Sequence, residues 1–217
     1  MQNLLKKEIQ HVISGKSQVR FGAAIQTVAS YLSTGTKPST SVEGTKSLKQ
    51  QETKRLETFA TEHNLWITDI DFTQYVSEGA EQRVYLKDTN HVLKLNDSIY
   101  YNSWVDYFHN LLLHNFFFED TAYTLRGFAK EDQVLYAVVE QAYVSMTDKT
   151  DLGQLKKFLH ENGFMNTRNN DYFNHDLQVI LEDLHDENVL TRNNVLYFID
   201  TVFYLTDEFW LDMKLEK

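Results

Sequence analysis

The sequence contains no cysteine, a single proline and no long apolar run, and each of these features excludes a class of protein. Without cysteine there can be no disulfides, thiolate zinc sites or cysteine nucleophiles, and a cytoplasmic location is the natural expectation. No stretch approaches the roughly 18 consecutive apolar residues of a transmembrane helix, and no signal-peptide pattern opens the sequence. We therefore expect no membrane partner.

Basic residues are scarce relative to acidic ones. The chain has 21 Lys and Arg residues against 31 Asp and Glu residues, a formal net charge of −10. Such a chain repels nucleic acid, and no basic stripe interleaved with aromatic residues offsets the repulsion, so we expect no nucleic-acid partner. Its 42% hydrophobic content over 217 residues is sufficient for one sizeable core with an appendage.

Apolar spacing divides the chain into a helical N-terminal extension, residues 1–65, and a mixed α+β domain, residues 66–217. The extension contains two helical stretches separated by a Ser/Thr-rich linker at 33–47, which holds Pro38. The domain opens with strand-like segments, which are interrupted by a helix from Ser98 to Asn115 with Ser98 as its N-cap. Residues 201–217 are predicted to form a terminal helix.

Leu181–Asp200, LEDLHDENVLTRNNVLYFID, is the segment in which acidic residues meet two apolar runs. The Asn193-Asn194 pair is a good hairpin turn because Asn tolerates positive φ. Such a hairpin brings Asn188 beside Asp200, with Asp183 just upstream. An amide and carboxylates suit Mg²⁺, which takes only one or two protein carboxylates together with phosphate oxygens. The competing interpretation is an ordinary solvated acidic hairpin.

Two upstream features support phosphate chemistry. A turn at Gly79 is followed fifteen residues later by Lys94 inside an apolar strand. This order is expected of a hairpin that covers phosphates and a lysine that contacts them, although a surface strand lysine gives the same pattern. A later strand ends in Glu140-Gln141-Ala142, which is similar to a hinge between two lobes whose backbone binds adenine.

The spacing Asp183-x4-Asn188, with Asp200 twelve residues later, resembles the kinase pattern HRDxxxxN…DFG. It departs from that pattern before Asp183, where Leu-Glu replaces His-Arg, and after Asp200, where Thr-Val replaces Phe-Gly. The segment DLHDENVL is closer to aminoglycoside- and choline-kinase-like phosphotransferases. The segments LHNFFFEDTAYTLRGF, VVEQAYV and LEDLHDENVL resemble the kinase domains of bacterial polyvalent proteins, which mobile elements and phages carry.

This resemblance implies a minimal protein-kinase-like fold, with an N-lobe over about 66–144 and a reduced C-lobe over about 145–217. Only seventeen residues follow Asp200, so we expect no large helical substrate lobe. The implied cofactors are ATP and Mg²⁺, and the implied partners are a nucleotide and a protein substrate of the host or the mobile element. The implied site residues are Asp183 and Lys94 for catalysis, Asn188 and Asp200 for the metal, and Gly79, Lys94, Glu140, Gln141 and Ala142 for the nucleotide.

One element of the kinase pattern is missing. The helix at 98–115 holds no glutamate to pair with Lys94, so we expect Asp200, Glu119 or a polar pair of His114 and Asn115 to hold the lysine instead. This departure leaves three alternatives open: a pseudokinase that binds nucleotide without transfer, a non-catalytic interaction module, and an enzyme that transfers AMP.

Overall fold

The computed structural model describes residues 2–34, 42–78 and 82–211. The helices in these ranges are α1 (Gln2–Ile13), α2 (Ala23–Ser33), α3 (Val42–Glu62), α4 (Trp104–Phe117) and α5 (Leu152–Glu161). The strands are β1 (Tyr75–Glu78), β2 (Gln82–Leu86), β3 (His91–Asn96), β4 (Thr124–Glu131), β5 (Val134–Ala142), β6 (Met165–Arg168), β7 (Asp171–Asn174), β8 (Val179–Glu182), β9 (Val189–Arg192), β10 (Val195–Phe198) and β11 (Val202–Leu205). The architecture is mixed α+β, as predicted, and its sheets are antiparallel.

The first sheet has the strand order β1-β2-β3-β5-β4, so β3 lies at its centre. Strands β4 and β5 are joined by a tight turn at Asp132 and Gln133, both with positive φ. The polar side chains of Asp and Gln suit an exposed turn, whereas most of β5 and the middle of β4 are buried. The central position of β3 gives its side chains a fixed, buried environment.

Helix α4 begins later than the sequence suggested. Its N-cap is Ser103, whose hydroxyl accepts from the backbone N–H of Asp106, and not Ser98. Ser98 has a φ of 58°, in the left-handed region, and its N–H is held by the Asn96 side chain at 2.7 Å. This local turn competes with helix formation, so Ser98 ends the strand connection and does not start the helix.

The N-terminal helices share one hydrophobic core with the sheets and with α4, a core that extends from Ile9 to Phe209. Helix α3 starts at Val42, inside the predicted linker; the rest of that linker that precedes it, residues 35–41, lies outside the described residues. Glu52 on α3 accepts from Trp104 N–H at 2.7 Å and so caps α4. Burial raises the pKa of Glu52 to about 7.

The C-terminal part is built from α5, a four-stranded sheet in the order β11-β8-β7-β6, and the β9–β10 hairpin. The predicted terminal helix is wrong over Val202–Leu205, which form β11 and pair with β8, whereas Asp207–Trp210 form a short 3-10 helix. Residues 212–217 lie outside the described residues. After β11, the carbonyl of Phe209 accepts from Gln10 Nε2 on α1 at 2.7 Å, which ties the two ends of the described chain together. None of the helices described is long and apolar enough to cross a bilayer.

Candidate active site

Lys94 lies on the central strand, β3, opposite Val84 on β2 and Val139 on β5. Its side chain is only 4% exposed, and its ammonium group donates to Ile199 O at 2.7 Å. Burial lowers the pKa of Lys94, while the negative charge of Asp200 opposes that shift. A lysine held this way in a central strand is a pre-positioned cation with little surrounding water.

The β9–β10 hairpin brings Asn188 and Asp200 together. Its turn is Asn193-Asn194, both with positive φ, and the strands pair from Val195 with Arg192 to Phe198 with Val189. At the open end, the carbonyl of Asn188 accepts from Ile199 N–H at 2.9 Å and from Asp200 N–H at 3.3 Å. The backbone bonds therefore fix the two side chains beside each other.

The carboxamide of Asn188 has a defined orientation. Its Nδ2 donates to Asp183 O at 2.8 Å and to Asp183 Oδ2 at 2.9 Å. With the nitrogen used in this way, Oδ1 is the atom left to meet a cation. Asp183 has a φ of 64°, an uncommon value outside glycine that often marks functional positions. The amide thus joins the candidate base to the candidate metal site.

The carboxylate of Asp200 is held from the opposite side of the cleft. Gln82, at the start of β2, donates its Nε2 to Asp200 Oδ2. Within the described residues, no group of three or more His, Asp or Glu side chains could hold a metal ion. One amide and one carboxylate nevertheless suit Mg²⁺, which keeps several waters and takes the rest of its ligands from phosphates. A cation at this point would have to displace the Gln82 amide.

These side chains line one cleft of about 710 Å³. This volume lies in the range of small-molecule sites. The cleft has an apolar part formed by Val84, Val92, Leu190 and Ile199, and a polar part formed by Lys94, Gln82, Asn188 and Asp200. It therefore offers a slot for a flat apolar group next to a set of charged and amide groups.

Of the residues predicted to bind nucleotide or metal, five line the cleft: Lys94, Gln141, Ala142, Asn188 and Asp200. Asp183 is outside the lining and is linked to it through Asn188. Gly79 lies outside the described residues.

Glu140 does not line the cleft. Its neighbours on β5 point to the other face of the sheet, and its carboxylate binds Arg126 at 2.8 Å and also binds Lys87. The strand also continues through Ala142, so the residues that join the two halves of the molecule along the cleft are Tyr143 to Met146, slightly later than predicted.

Of the predicted partners of Lys94, Asp200 acts on it through its negative charge, whereas Glu119, His114 and Asn115 are engaged elsewhere. Glu119 pairs with Arg20 at 3.5 Å, and Asn115 binds the backbone N–H and carbonyl of Tyr123. Lys94 instead uses the backbone carbonyl of Ile199, which also accepts from Tyr123 OH at 3.0 Å. A backbone carbonyl carries no signature in the sequence, so sequence reasoning had no means of finding this contact.

His114 connects α4 to the residue after Asp200. Its Nε2 lies 3.0 Å from Thr121 O, and its Nδ1 lies 2.7 Å from Thr201 Oγ1. Because a carbonyl only accepts, Nε2 carries the proton, and Nδ1 accepts from the hydroxyl of Thr201. Burial, with the nearby charge of Lys94, lowers the pKa of His114 to about 3, so the ring is neutral. His114 therefore positions the Asp200 segment without carrying charge.

Replacing His114 with Leu should weaken Mg²⁺-ADP binding by about 3- to 10-fold, since the buried Thr201 hydroxyl loses its partner. Calorimetry with ADP and Mg²⁺ measures this change, and His114→Gln should restore part of the affinity. The matched control is His109→Leu on the same helix, since His109 packs against Trp210 instead of the cleft. Equal affinity losses in both leucine variants would assign His114 to packing alone.

Comparison with known proteins gives one result. A family model described as a serine/threonine/tyrosine kinase found in polyvalent proteins matches residues 49–207. No curated protein and no solved structure gives a significant match. The matched region contains all the strands of the described residues, the residues that line the cleft and both ends of the β9–β10 hairpin, and it covers well over half of the chain. The chain therefore belongs to the family of serine/threonine/tyrosine kinases found in polyvalent proteins.

Proposed function

We propose that this protein is an ATP- and Mg²⁺-dependent phosphotransferase with a minimal kinase-like fold, which transfers the γ-phosphoryl group of ATP to a hydroxyl group. The observation that carries the proposal is that Lys94, Asn188 and Asp200 converge on one cleft although they are far apart in the sequence. The family supports kinase-like chemistry in general, and the acceptor we propose is a protein serine or threonine.

Lys94, Asn188 and Asp200 have separate roles in binding the nucleotide. Lys94 contacts the phosphates, and its buried ammonium is the cation that their negative charge requires. Asn188 and Asp200 hold Mg²⁺, which neutralises phosphate charge when bound. The apolar side chains of Val84 and Leu190 enclose the adenine ring of ATP between the two halves of the cleft.

Asp183 completes the chemistry at the acceptor. Its carboxylate is bonded to Asn188 and stands just outside the nucleotide cleft. In transfer, the acceptor oxygen forms a bond to phosphorus, the bond from phosphorus to the bridging oxygen of ADP breaks, and the acceptor proton passes to Asp183. The Asp183 carboxylate therefore acts as a base toward the acceptor hydroxyl and does not bind the phosphates.

The test is titration of the protein with ATP in the presence of Mg²⁺ and of EDTA. Binding should require the metal, because the acidic hairpin otherwise repels a triphosphate. Incubation with ATP and a generic protein substrate, followed by mass spectrometry, should add one phosphoryl group to the substrate. Metal-dependent binding with no transfer to varied acceptors would favour a pseudokinase, and addition of AMP would indicate nucleotidyl transfer. The absence of any nucleotide binding would contradict the proposal.

A further inference from the structure

Gln141 is a buried residue in the lining of the cleft. It lies on β5 opposite Val92, two residues along from Val139, which faces Lys94. The side chain is 2% exposed and yet contributes to the cleft lining. A buried carboxamide at the wall of a ligand site has at most one or two of its groups left for a ligand.

The orientation of this carboxamide is fixed by the protein. Its Nε2 donates to Thr121 O at 2.7 Å, and the same carbonyl accepts from His114 Nε2 at 3.0 Å. Since a carbonyl only accepts, turning the amide over would set two oxygens against each other in a buried place. The nitrogen therefore stays on Thr121, and Oε1 is the polar atom that remains for the cleft.

The neighbours of Gln141 define what this oxygen can meet. Val84, Val92 and Leu190 line the same cleft as Gln141, and these apolar side chains suit a flat heterocycle whose polar edge would meet Gln141. An acceptor at that edge favours a ring that presents an amino group. It disfavours a ring that presents a carbonyl oxygen, because two acceptors would then face each other.

We propose that Gln141 selects the nucleobase, with its Oε1 accepting a hydrogen bond from the exocyclic amino group of adenine and rejecting 6-oxopurines. This inference rests on the proposed nucleotide-binding function and adds a specificity residue to it. Thr121 and His114 are the positioning residues that hold the carboxamide in the discriminating orientation.

The experiment compares ADP with IDP, whose purine carries an oxygen in place of the 6-amino group and, with it, a proton on N1. Both are titrated by calorimetry with Mg²⁺ into the full chain and into Gln141→Met, which keeps the side-chain length and removes the acceptor. The wild type should bind ADP about 10- to 100-fold more tightly than IDP. In Gln141→Met this ratio should fall to within about threefold, mainly through weaker ADP binding. Gln154→Met, on the exposed face of α5, should keep the wild-type ratio.

The outcomes separate the inference from the function on which it rests. Equal binding of ADP and IDP by the wild type would overturn the inference while leaving nucleotide binding intact, and this measurement needs no variant to fold. An unchanged ADP preference in Gln141→Met would also overturn it and assign selection to the backbone of the connecting segment. If the wild type bound neither nucleotide, both the proposed function and the inference would be contradicted.

Discussion

Asp200→Ala is expected to abolish Mg²⁺-dependent ATP binding, whereas Asp183→Ala should leave that binding nearly intact and slow transfer by about 10²–10⁴-fold. The second figure is the usual contribution of a general acid–base group. The difference follows from position: Asp200 lines the cleft beside Lys94, while Asp183 lies outside the lining and reaches it only through Asn188. A bound Mg²⁺ stabilises the phosphate charge by several kcal/mol, so its loss should weaken ATP binding by at least about 10²-fold.

Two further variants separate the charge of Asp200 from its hydrogen bond and control for the loss of an acid from the same loop. Asp200→Asn keeps an oxygen that Gln82 can donate to but loses the charge, so it separates metal binding from the contact across the cleft. Asp186→Ala removes an acid of the same loop, one that pairs with Lys149 at 3.4 Å, and should change neither binding nor transfer by more than about twofold.

Calorimetry gives the ATP affinity of these variants, and single-turnover transfer gives the chemical rate. Equal loss of binding in Asp183→Ala and Asp200→Ala would mean that Asp183 is structural or bound to the metal. The division of roles between the two carboxylates would then be wrong. Normal Mg²⁺-ATP binding by Asp200→Asn would contradict the assignment of the Asp200 carboxylate as a metal ligand.

The elements near the cleft were predictable where local sequence and tertiary structure agree. Asn193-Asn194 can adopt positive φ easily and lies between two apolar runs, so the hairpin followed from the sequence. The same agreement allowed β3 and β5 to be placed from their Val- and Leu-rich patterns. The family resemblance came from the wording of LHNFFFEDTAYTLRGF, VVEQAYV and LEDLHDENVL, and the match over residues 49–207 confirms it.

Of the parts that were not predicted, one had a signal in the sequence and the others depend on tertiary contacts. Val202–Leu205 form a strand paired with β8, and the Val, Phe and Tyr of this segment favour a strand, a local signal that the predicted helix overlooked. The N-cap Ser103 was missed because Ser98 is an equally good cap on composition, and only the turn at Asn96 decides between them. The contact of Lys94 with Ile199 O involves a backbone atom that every residue has.

The helical extension has a structural connection to the site that composition alone did not suggest. Glu52 on α3 caps α4 at Trp104, and α4 carries His114, which binds the residue after Asp200. At the other end, Gln10 on α1 binds the Phe209 carbonyl beyond β11. The N-terminal helices therefore support both α4 and the chain just beyond β11, the two parts of the structure that adjoin the segment holding Asp200.

Lys94→Met should reduce transfer by about 10²–10³-fold, the usual effect of removing one group that stabilises charge in the transition state. The same substitution should raise the free energy of unfolding by about 0.5–2 kcal/mol, because functional groups buried at a cost are a common source of instability. Burial opposes the charged form of Lys94 and lowers its pKa, an effect that the negative charge of Asp200 counteracts. The carbonyl it leaves, Ile199 O, still accepts from Tyr123 OH at 3.0 Å. Methionine fills the vacated space with a flexible apolar chain.

The stability gain should depend on pH in a defined direction. The pKa of Lys94 is lowered from 10.5 in the folded protein, so between the lowered value and 10.5 the unfolded chain binds more protons than the folded one. The stability of the wild type relative to Lys94→Met therefore rises with pH through that window, and the stability advantage of the variant shrinks.

Thermal unfolding of both proteins from neutral pH toward pH 10.5 measures this difference, and the unfolding temperature of a chain of this size rises by about 2–4 °C per kcal/mol. Lys87→Met is the control, because Lys87 is half-exposed and pairs with Glu140 outside the cleft. A variant that is less stable than the wild type at neutral pH would show that the Lys94 ammonium is a net stabilising group, held by Ile199 and Asp200 strongly enough to offset its burial.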